Sequence, residues 1–220
     1  MTSLRCLLGY ASHFVMIRNV RIQAPADSPN TDAIDPFSSS DVVIDHVTAD
    51  VGDDDVSIKS GEPGIAAPYE PSRNITITDC TFLHGHGLSI GSDVTGGVSN
   101  IRFERIHFLG TNNGIRIKSN RDRGGDVHNI VFRDLDMKNV KNTINIYEYS
   151  DMETMLTAKG PVAAEQAVQP VTPLTPHFHD ITIENLTSTS AASAGESVPG
   201  TTGPCAANSL RPGGAAKKCR

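Results

Sequence analysis

The sequence predicts an all-β chain wound as a parallel β-solenoid. Two sets of short strands that recur in step carry the prediction, and a third observation is what separates them. In the first set an Asn or Asp opens alternating apolar residues, two spacers and two more apolar positions. It reads Asp41-Val-Val-Ile-Asp-His-Val47, Asn74-Ile-Thr-Ile-Thr-Asp-Cys-Thr-Phe82, Asn100-Ile-Arg-Phe-Glu-Arg-Ile-His-Phe108, Asn129-Ile-Val-Phe-Arg-Asp-Leu-Asp-Met137 and Asp180-Ile-Thr-Ile-Glu-Asn-Leu186, with a shortened copy at Asn19-Val-Arg-Ile22. The starts at 19, 41, 74, 100 and 129 lie 22, 33, 26 and 29 residues apart. The second set, Val56-Ser-Ile58, Leu88-Ser-Ile90, Ile115-Arg-Ile117 and Ile144-Asn-Ile146, advances by 32, 27 and 29. Between copies there is neither helical periodicity nor a hairpin signal. A β-sandwich with Greek-key connections is the alternative, and the regular period favours the solenoid.

Each element follows from that frame. Inward Val, Ile, Leu and Phe stack on their equivalents one coil away, at about 4.8 Å. The Asn that opens a strand suits a turn, because its side chain can bond local backbone. Cys80, inside an alternating strand, reads as a small core residue. Residues 12–187 are repeat coils, interrupted by an Ala/Pro/Thr-rich excursion from Tyr149 to Pro176. The domain division is therefore 1–187, a partial parallel β-helix, and 188–220, a Ser/Ala/Gly/Pro-rich tail that reads as disordered. No capping helix precedes the first coil, which is expected to be open, so the chain reads as truncated.

Composition narrows the function. The 220 residues carry 19 Lys plus Arg against 25 Asp plus Glu, a net charge of −6 that argues against a nucleic-acid partner. No apolar run approaches the roughly 18 residues of a membrane helix. Met1 to Ser12 is too short and broken for a signal peptide. Four cysteines are too few for a disulfide scaffold; Cys205 and Cys219, in the tail, are available to pair in an oxidising compartment.

The polar residues fall at coil-equivalent positions. Asp32 sits at a turn entering a strand, and Asp54 of Gly52-Asp-Asp-Asp55 follows it by 22 residues. His86, between Gly85 and Gly87, comes 32 residues later. Strand parity turns Ile115 and Ile117 inward, so Arg116 and Lys118 face away from the core; Ser57, Lys59, Asn145, Tyr147 and Tyr149 do so by the same count. All these groups are expected on one wall, in a cleft that crosses successive coils. Crowded carboxylates at Asp32, Asp53 and Asp54 predict at least one raised pKa. A raised carboxyl beside an ionised one is what glycosidic hydrolysis needs. Arg116 and Lys118 beside them predict a clamp for an anionic polymer.

At these residues the sequence resembles glycoside hydrolase family 28, the polygalacturonases. The matching motifs are Asn30-Thr-Asp32, Gly52-Asp-Asp54, Gly85-His-Gly-Leu-Ser-Ile-Gly-Ser92 and Arg116-Ile-Lys118, in the family's order. The resemblance implies a right-handed parallel β-helix that hydrolyses α-1,4 galacturonosidic bonds in pectin with inversion. It implies Asp53 as general acid, Asp32 and Asp54 as the carboxylates that activate water, and His86 as support for the acid. Arg116, Lys118 and Tyr149 would bind substrate, with Tyr147 the competitor of Tyr149. It further implies a secreted monomer that acts on the cell wall without cofactor or metal, endo-type action being slightly favoured. Two departures stand out: Asp55 occupies a position where the family often has Cys or Asn, and Asn30 comes early, as if the N-terminal part of the domain were lacking. A non-catalytic carbohydrate-binding β-helix and a calcium-dependent pectate lyase are the competing readings.

Overall fold

The computed structural model describes residues 7–61, 69–148 and 170–189. Its strands fall into coils. The first holds β1 (Leu7–Tyr10), β2 (His13–Arg18) and β3 (Arg21–Gln23). The second holds β4 (Ile34–Phe37), β5 (Ser40–Asp45) and β6 (Thr48–Asp50), and the third β7 (Val56–Ile58), β8 (Ser72–Thr78) and β9 (Thr81–Phe82). Then come β10 (Leu88–Ile90) with β11 (Val98–Leu109), β12 (Asn113–Lys118) with β13 (Asp126–Lys138), and β14 (Asn142–Tyr147) with β15 (His177–Thr189). Among the described residues there is no helix, so none is long and apolar enough to cross a membrane.

The strands pair only in parallel. One sheet runs β1-β4-β7-β10-β12-β14; in the other, β2-β5-β8-β11-β13-β15 forms the main path, with β3-β6-β9 joining at β11. This is the parallel β-solenoid that the repeats predict. The short-strand set pairs as read: Val56 opposite Leu88, Leu88 opposite Ile115, Ile115 opposite Ile144. The long set aligns Val42, Ile75, Ile101, Ile130 and Ile181 in one column. A second column runs Ile44, Ile77, Phe103, Phe132, and the two phenyl rings stack at 4.7 Å. Cys80 is buried, as expected. β15 runs to Thr189, two residues beyond the end of the last coil expected from the sequence.

The asparagines do something other than cap a turn. Asp41, Asn74, Asn100, Asn129 and Asp180 share one register position, and each has a left-handed backbone with φ between 50° and 57°. Their side chains bond along the solenoid axis, not to local backbone: Asn74 donates to Asp41, Asn100 to Asn74 and Asn129 to Asn100. Asn and Asp tolerate the left-handed region better than other residues with a Cβ, and stacked coils put their amides within reach of one another. A second left-handed column runs through His46, Asp79, Arg105, Asp134 and Asn185. These kinks bend long strands around the core without a loop. Asn100→Ala is expected to cost about 1–2 kcal/mol, from backbone strain plus two lost ladder bonds. Asn100→Gly, which loses the same bonds but avoids the strain, should cost less in urea unfolding.

At the first coil, β1 and β2 each have a partner on one side only among the described residues, and Phe14, Met16 and Tyr10 are exposed.

Candidate active site

Stacking β4, β7, β10 and β12 creates the polar wall. Asp32, Asp54 and His86 each lie two residues ahead of Ile34, Val56 and Leu88, which are register partners. The residues between the inward apolar ones alternate outward: Ser57, Ser89, Arg116 and Asn145 form one column. Coil spacing therefore brings Asp32, Asp53, Asp54, His86, Arg116 and Lys118 to one wall, and parity accounts for the off-core Arg116 and Lys118.

Backbone contacts lock the motifs to one another. The Thr31 hydroxyl receives the Gly52 N–H at 3.0 Å and donates to the Ser28 carbonyl at 2.9 Å. The Asn30 N–H reaches Asp53 Oδ2 at 3.2 Å. His86 N–H bonds the Asp53 carbonyl at 2.8 Å. Gly87, at φ +78°, leaves no room for a side chain: a Cβ there would meet the Asn113 carbonyl at 2.0 Å. Gly85, at φ +90°, is closed off by the preceding coil, where a Cβ would meet the Asp53 carbonyl at 2.4 Å, so the two glycines flanking His86 are demanded by the coils on either side.

Three charge clusters result. In the first, Asp53 Oδ1 lies 3.0 Å from His86 Nδ1 and accepts the Asp54 N–H at 2.9 Å. Burial raises the Asp53 carboxyl and the Asp54 charge adds to that, but the His86 hydrogen bond together with the His86 and Lys118 charges outweighs them and the net shift is downward. In the second, Asp54 Oδ1 accepts from the Arg116 guanidinium and from Ser89 Oγ (2.8 Å), while Lys118 Nζ stands 3.3 Å from Oδ2. Arg116 Nε also donates to Ser89 Oγ at 2.9 Å. Burial alone would raise Asp54; the Arg116 and Lys118 charges overcome that and hold it well below the usual carboxylate range. Burial lowers the Lys118 ammonium. One carboxylate oxygen each from Asp53 and Asp54 and a His86 ring nitrogen lie within 4.8 Å of one another.

The third cluster escaped the sequence reading. Lys59 Nζ bridges Asp32 Oδ2 at 2.8 Å and Asp35 Oδ2 at 2.9 Å, and all three side chains are buried. Burial disfavours the Lys59 charge, but Asp35 and Asp32 reverse this and raise its pKa. Parity marks Lys59 as off-core, yet spacing does not reveal that its long stem reaches back one coil. Ser89, which bonds both Arg116 and Asp54, was likewise not singled out.

Asp55 differs from its neighbours. It is fully buried; Oδ2 accepts the Gly87 N–H at 3.0 Å, and Oδ1 has no hydrogen-bond partner. Burial, then Asp54, Asp50 and Asp53, push its pKa well up. Crowding predicts a raised carboxyl among Asp32, Asp53 and Asp54; Asp53 and Asp54 are instead lowered by their partners, and the raised carboxyl is Asp55, through burial first and its charged neighbours after. A carboxyl raised on folding stabilises fully below its unfolded pKa and loses that contribution as pH climbs through the folded value. Each pH unit between the two costs about 1.4 kcal/mol. Asp55→Asn, neutral throughout, should gain stability over wild type between pH 4 and pH 7, measured by chemical denaturation at several pH values. A stability difference that is flat with pH would show Asp55 to be ionised in the folded chain.

Of the predicted substrate binders, Arg116 and Lys118 are both engaged by Asp54, and Arg116 is only 5% exposed. Tyr147, at the end of β14, pairs in register with Lys118. Tyr149 lies outside the described residues.

The profile of the family described as glycosyl hydrolases family 28 matches residues 8–207. A polygalacturonase of Juniperus ashei is 34% identical over 184 residues, 82% of this chain and 32% of the relative. An endo-polygalacturonase of Pectobacterium carotovorum subsp. carotovorum is 40% identical over 125 residues, 57% of this chain and 30% of the relative. The match thus spans about a third of the length of these curated relatives. Among solved structures, the hyperthermoactive exopolygalacturonase of Thermotoga maritima superposes with a TM-score of 0.66 at 28% identity, over 84% of this chain and 38% of that one. The polygalacturonase of Erwinia carotovora ssp. carotovora gives 0.62 at 27% identity, over 86% and 50%.

Proposed function

Because the chain belongs to glycosyl hydrolases family 28, we propose that its polar wall hydrolyses α-1,4 galacturonosidic bonds of polygalacturonate and pectin by an inverting acid/base route. The observation that carries this reading is the convergence of Asp53, Asp54 and His86, with Asp32 at the equivalent place one coil earlier and fixed cations beside them.

The roles follow from the contacts. Asp53 is the general acid. The proton it delivers to the leaving oxygen is held by the Asp53–His86 pair, whose 3.0 Å contact is short enough to pass it. Asp32 and Asp54 accept hydrogen bonds from the attacking water and orient it. Lys59 occupies one oxygen of Asp32, which leaves the other to accept from that water. Inversion needs acid and base separated by a water, at about 6.5–9.5 Å. Arg116 and Lys118 receive the galacturonate carboxylate, with Lys118 the more accessible of the two, and a Tyr at 147 or 149 closes the sugar site. No cofactor or metal takes part. The cations already beside Asp54 make a poor seat for calcium, which prefers six to eight oxygen ligands and would be needed by a lyase.

In this reading residues 1–187 form the catalytic β-helix, to which Thr189 is added as the end of β15, and the protein works outside the cell, where pectin lies. Endo-type action is favoured, and relatives of both kinds exist. Reducing-end release from polygalacturonate by the purified 220-residue chain tests the reading. Release is expected, with oligomers of mixed length if action is internal and a single small product if it is terminal. A folded chain that binds the polymer and releases nothing would favour the non-catalytic carbohydrate-binding alternative. Lys118→Ala should raise KM about tenfold or more through a lost charge-assisted contact, with a smaller effect on kcat.

A further inference from the structure

We infer that Asp126, His177 and His179 form a binding site for one divalent transition-metal ion of the zinc class, on the opposite sheet from the catalytic wall. Nothing in the galacturonosidase reading uses these residues. Asp126 and His128 lie on β13, and His177 and His179 on β15; Asp126 pairs in register with His177, and His128 with His179. The period of two puts all four on one face of two neighbouring coils.

Their donor atoms converge. Asp126 Oδ1 is 3.3 Å from His177 Nδ1 and 3.0 Å from His179 Nε2. Asp126 Oδ2 is 3.2 Å from His128 Nδ1, an atom buried without a hydrogen-bond partner. The His128 ring stacks on His179 at 5.1 Å, and the His177 ring on His179 at 4.4 Å. Tetrahedral zinc with bonds of about 2.0–2.1 Å separates its ligand atoms by about 3.3 Å, which the Asp126–His177 and Asp126–His179 spacings approach.

A second observation concerns His179. Its other ring nitrogen, Nδ1, lies 2.9 Å from Asp180 Oδ2. Metal-bound imidazoles commonly donate that second N–H to a carboxylate, which fixes the tautomer. With Nδ1 engaged by Asp180, Nε2 faces the Asp126 carboxylate at 3.0 Å, the edge a metal ion would take. Two nitrogens and one oxygen suit zinc, nickel or copper; magnesium and calcium want oxygen alone. Asp126 and His177 are more than half exposed, so the ion has an open route and water can complete its shell. Bound there, it would tie β13 to β15 and fasten the last described coil to the one before it.

The test is calorimetric titration of the chelator-treated chain with Zn2+, together with its thermal midpoint. Wild type should bind at this site saturably and gain thermal stability, an effect reversed by chelator. His177→Ala/His179→Ala should lose the site, and Asp180→Asn should weaken it about 10–100-fold. Absence of saturable binding by wild type, or equal stoichiometry and affinity in the double variant, overturns the inference. Should the double variant fail to fold by circular dichroism, Cu2+ electron paramagnetic resonance of wild type decides. Coupling to two imidazole nitrogens supports this site. Coupling to one or none points instead to the one-histidine clusters at Asp45, His46 and Asp79 or at Asp53, Asp54 and His86, and overturns it.

Discussion

Asp53→Asn is expected to abolish hydrolysis of polygalacturonate, lowering kcat by about 10²–10⁴-fold, while the chain stays folded and still binds the polymer. The amide is nearly isosteric, and its one oxygen keeps one of the two N–H groups that now bond the carboxylate, Asn30 on Oδ2 and Asp54 on Oδ1. What it loses is the ability to take a proton from His86 and pass it to a leaving oxygen. Steady-state rates and an independent binding titration separate the two effects. If KM rises while kcat holds, Asp53 serves binding and the acid lies elsewhere. His86→Ala should reproduce part of the loss and reshape the pH profile, because the Asp53 carboxyl then keeps burial and loses the bond that lowers it.

Arg116→Ala is expected to cost about 3–5 kcal/mol of folding stability, before any effect on substrate is counted. The sequence alone casts Arg116 as a substrate clamp. In the structure its guanidinium is buried against Asp54 and Ser89, and Asp54 is only 1% exposed. Removing the arginine strands a carboxylate away from water with Lys118 as its sole remaining cation. Urea unfolding measures the loss. Arg116→Met/Asp54→Leu, which deletes the charge pair together, should recover much of that stability while remaining inactive. An Arg116→Ala chain as stable as wild type would mean that Asp54 is not held by it.

How far the sequence reaches is shown by particular residues. Val56, Leu88, Ile115 and Ile144 announce their column because burial admits only apolar side chains at every inward position, and the turns keep the count. The same count places Asp32, Asp54, His86 and Arg116 on one wall, since coil-equivalent residues stack. The count fails where a side chain leaves its own level. Lys59 bridges Asp32 and Asp35 from the next coil, and no periodicity encodes the reach of a four-carbon stem. Crowding predicts a raised carboxyl but not which one. Partners decide that: Asp53 and Asp54 have His86, Arg116 and Lys118, while Asp55 has one backbone N–H and an orphaned oxygen. The ladder asparagines are legible as a repeat, but their left-handed backbone is not, because Asn is at home in a turn as well as in a kinked strand. The histidines of β15 offered a signal that was passed over. His177-x-His179 puts two imidazoles on one face of a strand, and Asp126-x-His128 does the same one coil earlier.

Inverting acid/base hydrolysis by this wall is read out by proton NMR of the first products released from polygalacturonate. Saturated products are expected, with new reducing ends that appear first in the β configuration and only later equilibrate. Ends that appear first as the α anomer, or unsaturated products, would contradict it.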